Sequence, residues 1–284
     1  MFAGLKVAAS SCLITICCSL ATVFADTQQN QPLEYKAHIA LVGDSTVTDS
    51  TGWGIGFAAC MADGVKFSNL ARNGRSSSSY REEGLWDKAL KLKPDWMLIQ
   101  FGHNDQPGHP GRENEADKGY RTNMERYVDE ARAARIRPVL VTPLSRRHWG
   151  STKPNEDRIV STLEPYVDVL KSIAVKKNVP LIDLHLRSKE VYQSLGKEGC
   201  KMISPLKNGE IDATHLNEAG SFLFGSMVAM DCRSFIPGVA SHFRTSKLME
   251  LQRSHPAPSM SKPADVAALK LAGEPLARGK KRLQ

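Results

Sequence analysis

Short, almost continuously apolar runs recur along the chain, separated by longer stretches in which apolar residues fall three and four apart. The runs are His38–Val42 (HIALV), Val65–Leu70, Trp96–Phe101 (WMLIQF), Val139–Thr142 (VLVT) and Val179–Leu184 (VPLIDL). They are short and rich in β-branched residues, the pattern of strands covered on both faces. Helical spacing marks 54–62, 81–92, 117–134 and 157–177, with a shorter stretch at 189–195. A last helix is expected over 217–231, capped by Asn217, with Ala219, Phe222, Leu223, Ser226 and Met227 on one face. Strands alternating with helices predict an α/β fold, a parallel sheet with helices on both sides. In such sheets ligands bind beyond the carboxyl ends of the strands, so chemistry is to be sought in the residues after each strand.

The two ends of the chain depart from this pattern. Lys6 followed by the apolar run Val7–Phe24 and the small-residue site ending at Ala25 reads as an export signal over 1–25, cleaved before Asp26. Export to the periplasm or the medium follows as an expectation, with no stable membrane insertion once the signal is removed. Beyond Phe243 the pattern fails among Pro256, Pro258, Pro263 and Pro275, and 244–284 reads as a basic, disordered tail with one marginal helix near 264–271. The expected organisation is therefore signal, catalytic domain over 26–243, and tail.

Charge and cysteines change meaning once these ends are set apart. The net charge is +8, but 244–284 holds nine Lys and Arg against three Asp and Glu. The body is nearly neutral and carries no nucleic-acid footprint. Cys12, Cys17 and Cys18 fall in the signal, leaving Cys60, Cys200 and Cys232. An exported chain permits a Cys200–Cys232 pair, with Cys60 left odd and buried. Three cysteines without close spacing do not make a zinc site.

The residues after the strands form a kit for acyl transfer. Gly43-Asp44-Ser45 follows the first strand, Asn73-Gly74-Arg75 the second, and Gly102-His103-Asn104-Asp105 the third; Asp212 and His215 precede the last helix. A serine nucleophile needs a base, and the base an orienting acid. Ser45, His215 and Asp212 take those parts. The Ser45 and Gly74 N–H groups and the Asn104 amide are candidates for the oxyanion hole. A glycine at 74 lets the backbone approach a substrate closely.

These four blocks, in this order, resemble the SGNH (GDSL) hydrolases. The resemblance implies a flavodoxin-like three-layer α/β/α sandwich of five parallel strands in the order 2-1-3-4-5, and serine esterase chemistry without metal or organic cofactor. The strings VGDSTVTD, NGRSSSSYREEGLWD, QFGHNDQ and DATHLNEAGS are similar to those of rhamnogalacturonan acetylesterases, which implies an acetylated pectic backbone as substrate.

Several residues keep two readings. Trp53 is an aromatic sugar platform or ordinary packing. His103 touches substrate or packs beneath the site. Arg75 lines the cleft or is simply exposed. Asp44 and Asp105 are expected to bond to neighbouring backbone. Arg146, Arg147 and Lys153, in the stretch 145–155, suit a polymer bearing galacturonate carboxylates. A metal set drawn from His103, Asp105, His109, Asp212 and His215 is disfavoured, because it leaves Ser45, Gly74 and Asn104 idle and lacks helical ligand spacing. The alternatives carried forward are an esterase acting on another acetylated glycan or a lipid ester, and a glycan-binding protein without turnover.

Overall fold

The computed structural model describes Met1 and residues 36–151 and 157–254. Beyond Met1, the signal over 1–25 lies outside the described residues, as do Lys153 and the tail beyond 254. In chain order the strands are β1 (Ala37–Gly43), β2 (Val65–Asn69), β3 (Trp96–Gln100), β4 (Arg137–Val141), β5 (Trp149–Ser151), β6 (Asp157–Ile159), β7 (Leu181–Ile182), β8 (Leu206–Lys207) and β9 (Glu210–Ile211). The helices are α1 (Gly54–Ala58), α2 (Ser79–Glu82), α3 (Leu85–Lys91), α4 (Arg121–Ala133), α5 (Glu164–Lys177), α6 (Leu184–Lys201), α7 (Glu218–Phe235) and α8 (Thr245–Ser254).

Five strands form one sheet in the order β2-β1-β3-β4-β7, every neighbouring pair parallel. This is the doubly wound α/β arrangement expected from the alternation of strands and helices. Side chains alternate across the sheet with period two. Ile39, Leu41, Leu98, Val139 and Val141 enter one core with Phe57 of α1, Tyr192 of α6, Phe224 and Val228 of α7, and Leu248 of α8. Val42, Met97, Ile99 and Leu140 enter the other, with Trp86 of α3, Tyr127 of α4 and Leu170 of α5. The central strands are buried on both faces, while β2, at the sheet edge, is only half-buried along its length. Between α1 and α7 the backbones nearly touch: a Cβ on Gly225 would overlap the main chain of Gly56 and Phe57.

The expected elements are recovered with several corrections. The helix predicted over 157–177 starts only at Glu164, with Pro165 in its first turn, where the missing N–H costs nothing. Residues 157–159 instead pair antiparallel with 149–151 as a hairpin. The fifth strand shrinks to Leu181–Ile182, and the short helix expected at 189–195 extends over 184–201. Asn217 caps α7 as predicted, its Oδ1 accepting from the Gly220 N–H at 3.0 Å.

The boundary at 243 is also corrected. Leu248 of α8 is buried in the core, and the Arg244 N–H donates to the Cys60 carbonyl at 2.9 Å, so the folded body runs on to 254. Spaced apolar residues at 245–254 were masked in the sequence by the basic residues around them. Cys60, Cys200 and Cys232 are buried and free, so the pairing left open for Cys200 and Cys232 is not made. No helix among the described residues is long and apolar enough to cross a membrane.

Candidate active site

The nucleophile candidate sits where β1 ends. The chain turns sharply there, because Asp44 Oδ1 accepts from both the N–H and the hydroxyl of Thr46, at 2.9 and 2.7 Å. Two threonine hydroxyls, of Thr48 and Thr51, donate to the Ser45 carbonyl, each at 2.9 Å. The turn is held from below by a buried chain of amide and indole groups. Trp53 Nε1 donates to Gln100 Oε1 at 3.0 Å, and Gln100 Nε2 donates to Thr46 Oγ1 at 2.7 Å. A buried side chain that is fully hydrogen-bonded has little freedom to move.

The acid and base candidates come from the loop between β9 and α7. Asp212 Oδ1 accepts from the N–H groups of Thr214 and His215, at 2.7 and 3.0 Å, folding the loop back on itself. Asp212 Oδ2 lies 2.8 Å from His215 Nδ1, and His215 Nε2 lies 2.8 Å from Ser45 Oγ. The Leu216 N–H donates to the Thr51 carbonyl at 2.9 Å and ties this loop to the Ser45 turn. Although burial pushes the Asp212 carboxyl up, the bonds from the His215 ring and from the His215 and Thr214 N–H groups outweigh it and bring it down to about 2. Asp212 is therefore ionised at neutral pH, placed to orient an imidazole and to stabilise its protonated form.

The loops after β2 and β3 supply the third part. Gly74 has φ +75°, the left-handed region open to glycine. Neither the Gly74 nor the Ser45 N–H donates to a protein acceptor among the described residues. Asn104 Nδ2 donates to the Arg75 carbonyl at 3.1 Å, which fixes the amide beside Gly74 and leaves its second hydrogen uncommitted. Arg112 reinforces this side: its Nη1 donates to the Gly74 carbonyl at 2.7 Å and approaches Asn104 Oδ1 at 3.4 Å. The arrangement offers a serine hydroxyl, a base that can take its proton and N–H donors for a developing oxyanion, the requirements of acyl transfer.

The structure thus joins Ser45, His215 and Asp212 in one hydrogen-bonded line and ties Gly74 to Asn104 through Arg112, while Thr48 Oγ1 of the Ser45 turn donates to Asn73 Oδ1 of the Gly74 loop at 3.3 Å. It places the other candidates elsewhere. Trp53 is fully buried and stacks edge-on against Phe57, so it is packing under the site and not a sugar platform. His103 is 3% exposed, with Nδ1 3.3 Å from Asp44 Oδ2, and packs beneath the site. Although burial pushes the Asp44 carboxyl up, His103 and the Thr46 bonds outweigh it and hold it below its ordinary value. The Arg75 side chain is engaged by Glu83 at 2.8 Å, and its contribution to the site is its main-chain carbonyl.

Arg146 is half-buried, bonded to Gln106 and to the His103 carbonyl at 3.3 Å. Arg147 is buried against the 212–215 loop and cannot line a substrate cleft. Asp105 accepts from the Ser77 N–H at 3.1 Å and from Asn114 Nδ2 at 2.9 Å, and burial lifts it to about 7 against those bonds. Asp105 is thus committed to Ser77 and Asn114, and Asp212 and His215 to each other. No three His, Cys, Asp or Glu residues among those described are grouped to hold a metal ion.

Sequence reasoning missed Gln100, Arg112 and the burial of Arg147 against the 212–215 loop. All act through contacts between segments remote in sequence, and no local spacing marks them.

Comparison with known proteins identifies the family and the fold. The GDSL-like Lipase/Acylhydrolase family matches residues 41–221. The rhamnogalacturonan acetylesterase RhgT of Bacillus subtilis is 32% identical over 209 residues, covering 67% of this chain and 87% of that protein. A rhamnogalacturonan acetylesterase of Emericella nidulans is 43% identical over 70 residues, covering 24% of this chain and 28% of that protein. Among solved structures, a Bacillus subtilis protein superposes with a TM-score of 0.61 at 23% identity, covering 74% of this chain and 59% of that one. An acetylxylan esterase of Geobacillus stearothermophilus, as a catalytic mutant, gives 0.51 at 19% identity, covering 69% and 92%. At those identities the two structures speak to the fold.

Proposed function

This chain belongs to the GDSL-like lipase/acylhydrolase family and is a carboxylic ester hydrolase, and we propose that it is an exported enzyme that removes O-acetyl groups from acetylated rhamnogalacturonan. The observation that carries the mechanism is the continuous line from Asp212 through His215 to Ser45, with 2.8 Å at each step. His215 takes the Ser45 hydroxyl proton as Oγ attacks the acetyl carbonyl carbon. The Ser45 and Gly74 N–H groups and the free hydrogen of Asn104 Nδ2 receive the oxyanion. When the intermediate collapses, the sugar oxygen leaves with the proton held by His215. Water, deprotonated by the same imidazole, then attacks the acetyl-serine. Acetate is released and the proton returns to Ser45 Oγ. Asp212 stays ionised throughout and fixes the ring by its bond to Nδ1.

The choice of acetyl and of rhamnogalacturonan rests on the similarity to the named acetylesterases and on the motif strings around Ser45, Gly74, Asn104 and His215. The test is acetate release from acetylated rhamnogalacturonan, acetylated xylan and an octanoyl ester, by the wild type and Ser45→Ala. Release fastest from rhamnogalacturonan and lost in the mutant is expected. Faster release from xylan would shift the substrate to another acetylated glycan, and octanoyl turnover matching acetyl would point to lipid esters. Glycan binding with no release from any ester would leave a binding protein. Export is tested by the first residue of the mature chain, expected to be Asp26.

A further inference from the structure

The loop that carries Asp212 and His215 runs between β9 and α7 and forms no ladder that would satisfy its main-chain carbonyls. Main-chain carbonyls outside a ladder need other donors. Arg147 supplies donors to three of them. Arg147 Nη2 donates to the Asp212 carbonyl at 2.9 Å and also to the His215 carbonyl, while the Arg147 N–H donates to the Ala213 carbonyl at 2.8 Å. Its Nη1 donates to Tyr192 Oη at 3.1 Å, and its guanidinium carbon lies 5.2 Å from the centre of the Tyr192 ring.

Arg147 is 5% exposed, and among the described residues no carboxylate lies within ion-pair distance of it. Among the described residues its Nε has no hydrogen-bond partner. A desolvated cation without an anion is a poor source of stability. Among the described residues every bond it donates, apart from that to Tyr192, ends on the turn that carries His215 to Ser45.

We propose that Arg147 is a positioning residue for the reaction, locking the 212–215 turn so that His215 Nε2 stays within a hydrogen bond of Ser45 Oγ. This rests on the reading of Ser45 as nucleophile and His215 as base. The planar guanidinium meets two carbonyls and a hydroxyl at once, which a lysine ammonium cannot do in the same plane. A displacement of about 1 Å in a reacting group costs roughly 10²-fold in rate.

The test uses 4-nitrophenyl acetate with wild type, Ser45→Ala, Arg147→Ala, Arg147→Lys and Tyr192→Phe, well below the measured Tm of each. Turnover by wild type that is lost in Ser45→Ala secures the underlying reading; its absence overturns that reading and this proposal together. With that secured, Arg147→Ala is expected to lose roughly 10²-fold in kcat, with KM within about twofold of wild type. Arg147→Lys should stay slow, and added methylguanidinium should restore part of the kcat of Arg147→Ala. A folded Arg147→Ala overturns the proposal if its kcat is near wild type, if the change falls on KM alone, or if methylguanidinium restores nothing. If Arg147→Ala does not fold, the other two variants decide: slowed kcat at unchanged KM in Arg147→Lys and Tyr192→Phe supports the clamp, and wild-type kcat in both removes it.

Discussion

Ser45 Oγ and His215 Nε2 stand 2.8 Å apart although 170 residues separate them in the chain. The first is delivered by the end of β1 and the second by the loop before α7. The contact is held by the tight packing of α7 on α1 and by the bond from the Leu216 N–H to the Thr51 carbonyl. Ser45→Ala removes the attacking atom and little else. We expect kcat on acetyl esters to fall by about 10⁴-fold or more, with the thermal midpoint almost unmoved. Steady-state kinetics beside a melting curve check this, and retained turnover would exclude Ser45 as the nucleophile.

Asn104 presents one amide hydrogen to the Arg75 carbonyl and has one left. Asn104→Ala should cost roughly 10²–10³ in kcat, the usual loss for one oxyanion donor. Stability should fall by about 1 kcal/mol, for the lost bond to Arg75. A variant that melts early but turns over normally would give Asn104 a purely structural part.

Trp53 belongs to the support under the nucleophile. Trp53→Phe keeps the ring packing but leaves buried Gln100 Oε1 without its donor. Destabilisation of about 1–3 kcal/mol is expected in urea unfolding, with KM for a glycan substrate unchanged. A rise in KM at unchanged stability would return Trp53 to the substrate-binding surface.

Stability should depend on pH through Asp231 as well as Asp212. Burial lifts Asp231 to about 6, against the pull of Arg187. A carboxyl raised on folding holds its proton longer in the native state. Its contribution is whole below the ordinary value of 3.8 and is lost as pH rises through about 6. Asp212 works the other way: lowered to about 2, its contribution is present above 3.8 and disappears as pH falls toward 2. Melting temperatures of wild type and Asp231→Asn between pH 3 and 7 should converge at low pH and separate as pH rises, with the mutant losing less. Parallel curves would show that Asp231 does not titrate in this range.

Much of the architecture was legible in the sequence because its causes are local. An apolar run such as WMLIQF can be satisfied only when both its faces are covered, and strand–helix alternation leaves a parallel sheet as the way to do so. Ser45, Gly74 and Asn104 were legible for a related reason: each sits just after a strand of the parallel sheet, where an open α/β sheet presents its loops together, while Asp212 and His215 were legible as an acid and a base three residues apart before the last helix. The hairpin of β5 and β6 was not, because 157–159 has the spacing of the helix that follows it. Helix α8 was hidden by the basic residues that surround Leu248.

The sequence by itself determined which residues could do chemistry and on which edge of the sheet they would lie. Tertiary structure decided what each side chain touches. Trp53, His103 and Arg147 were all plausible substrate contacts by composition. Each is buried instead, and holds in place a neighbour that bears on the reaction. Burial of a polar group depends on partners far away in the chain, such as Gln100 for Trp53 and the 212–215 carbonyls for Arg147. No spacing rule reaches across such distances, since a desolvated donor is stable wherever the fold happens to bring it an acceptor.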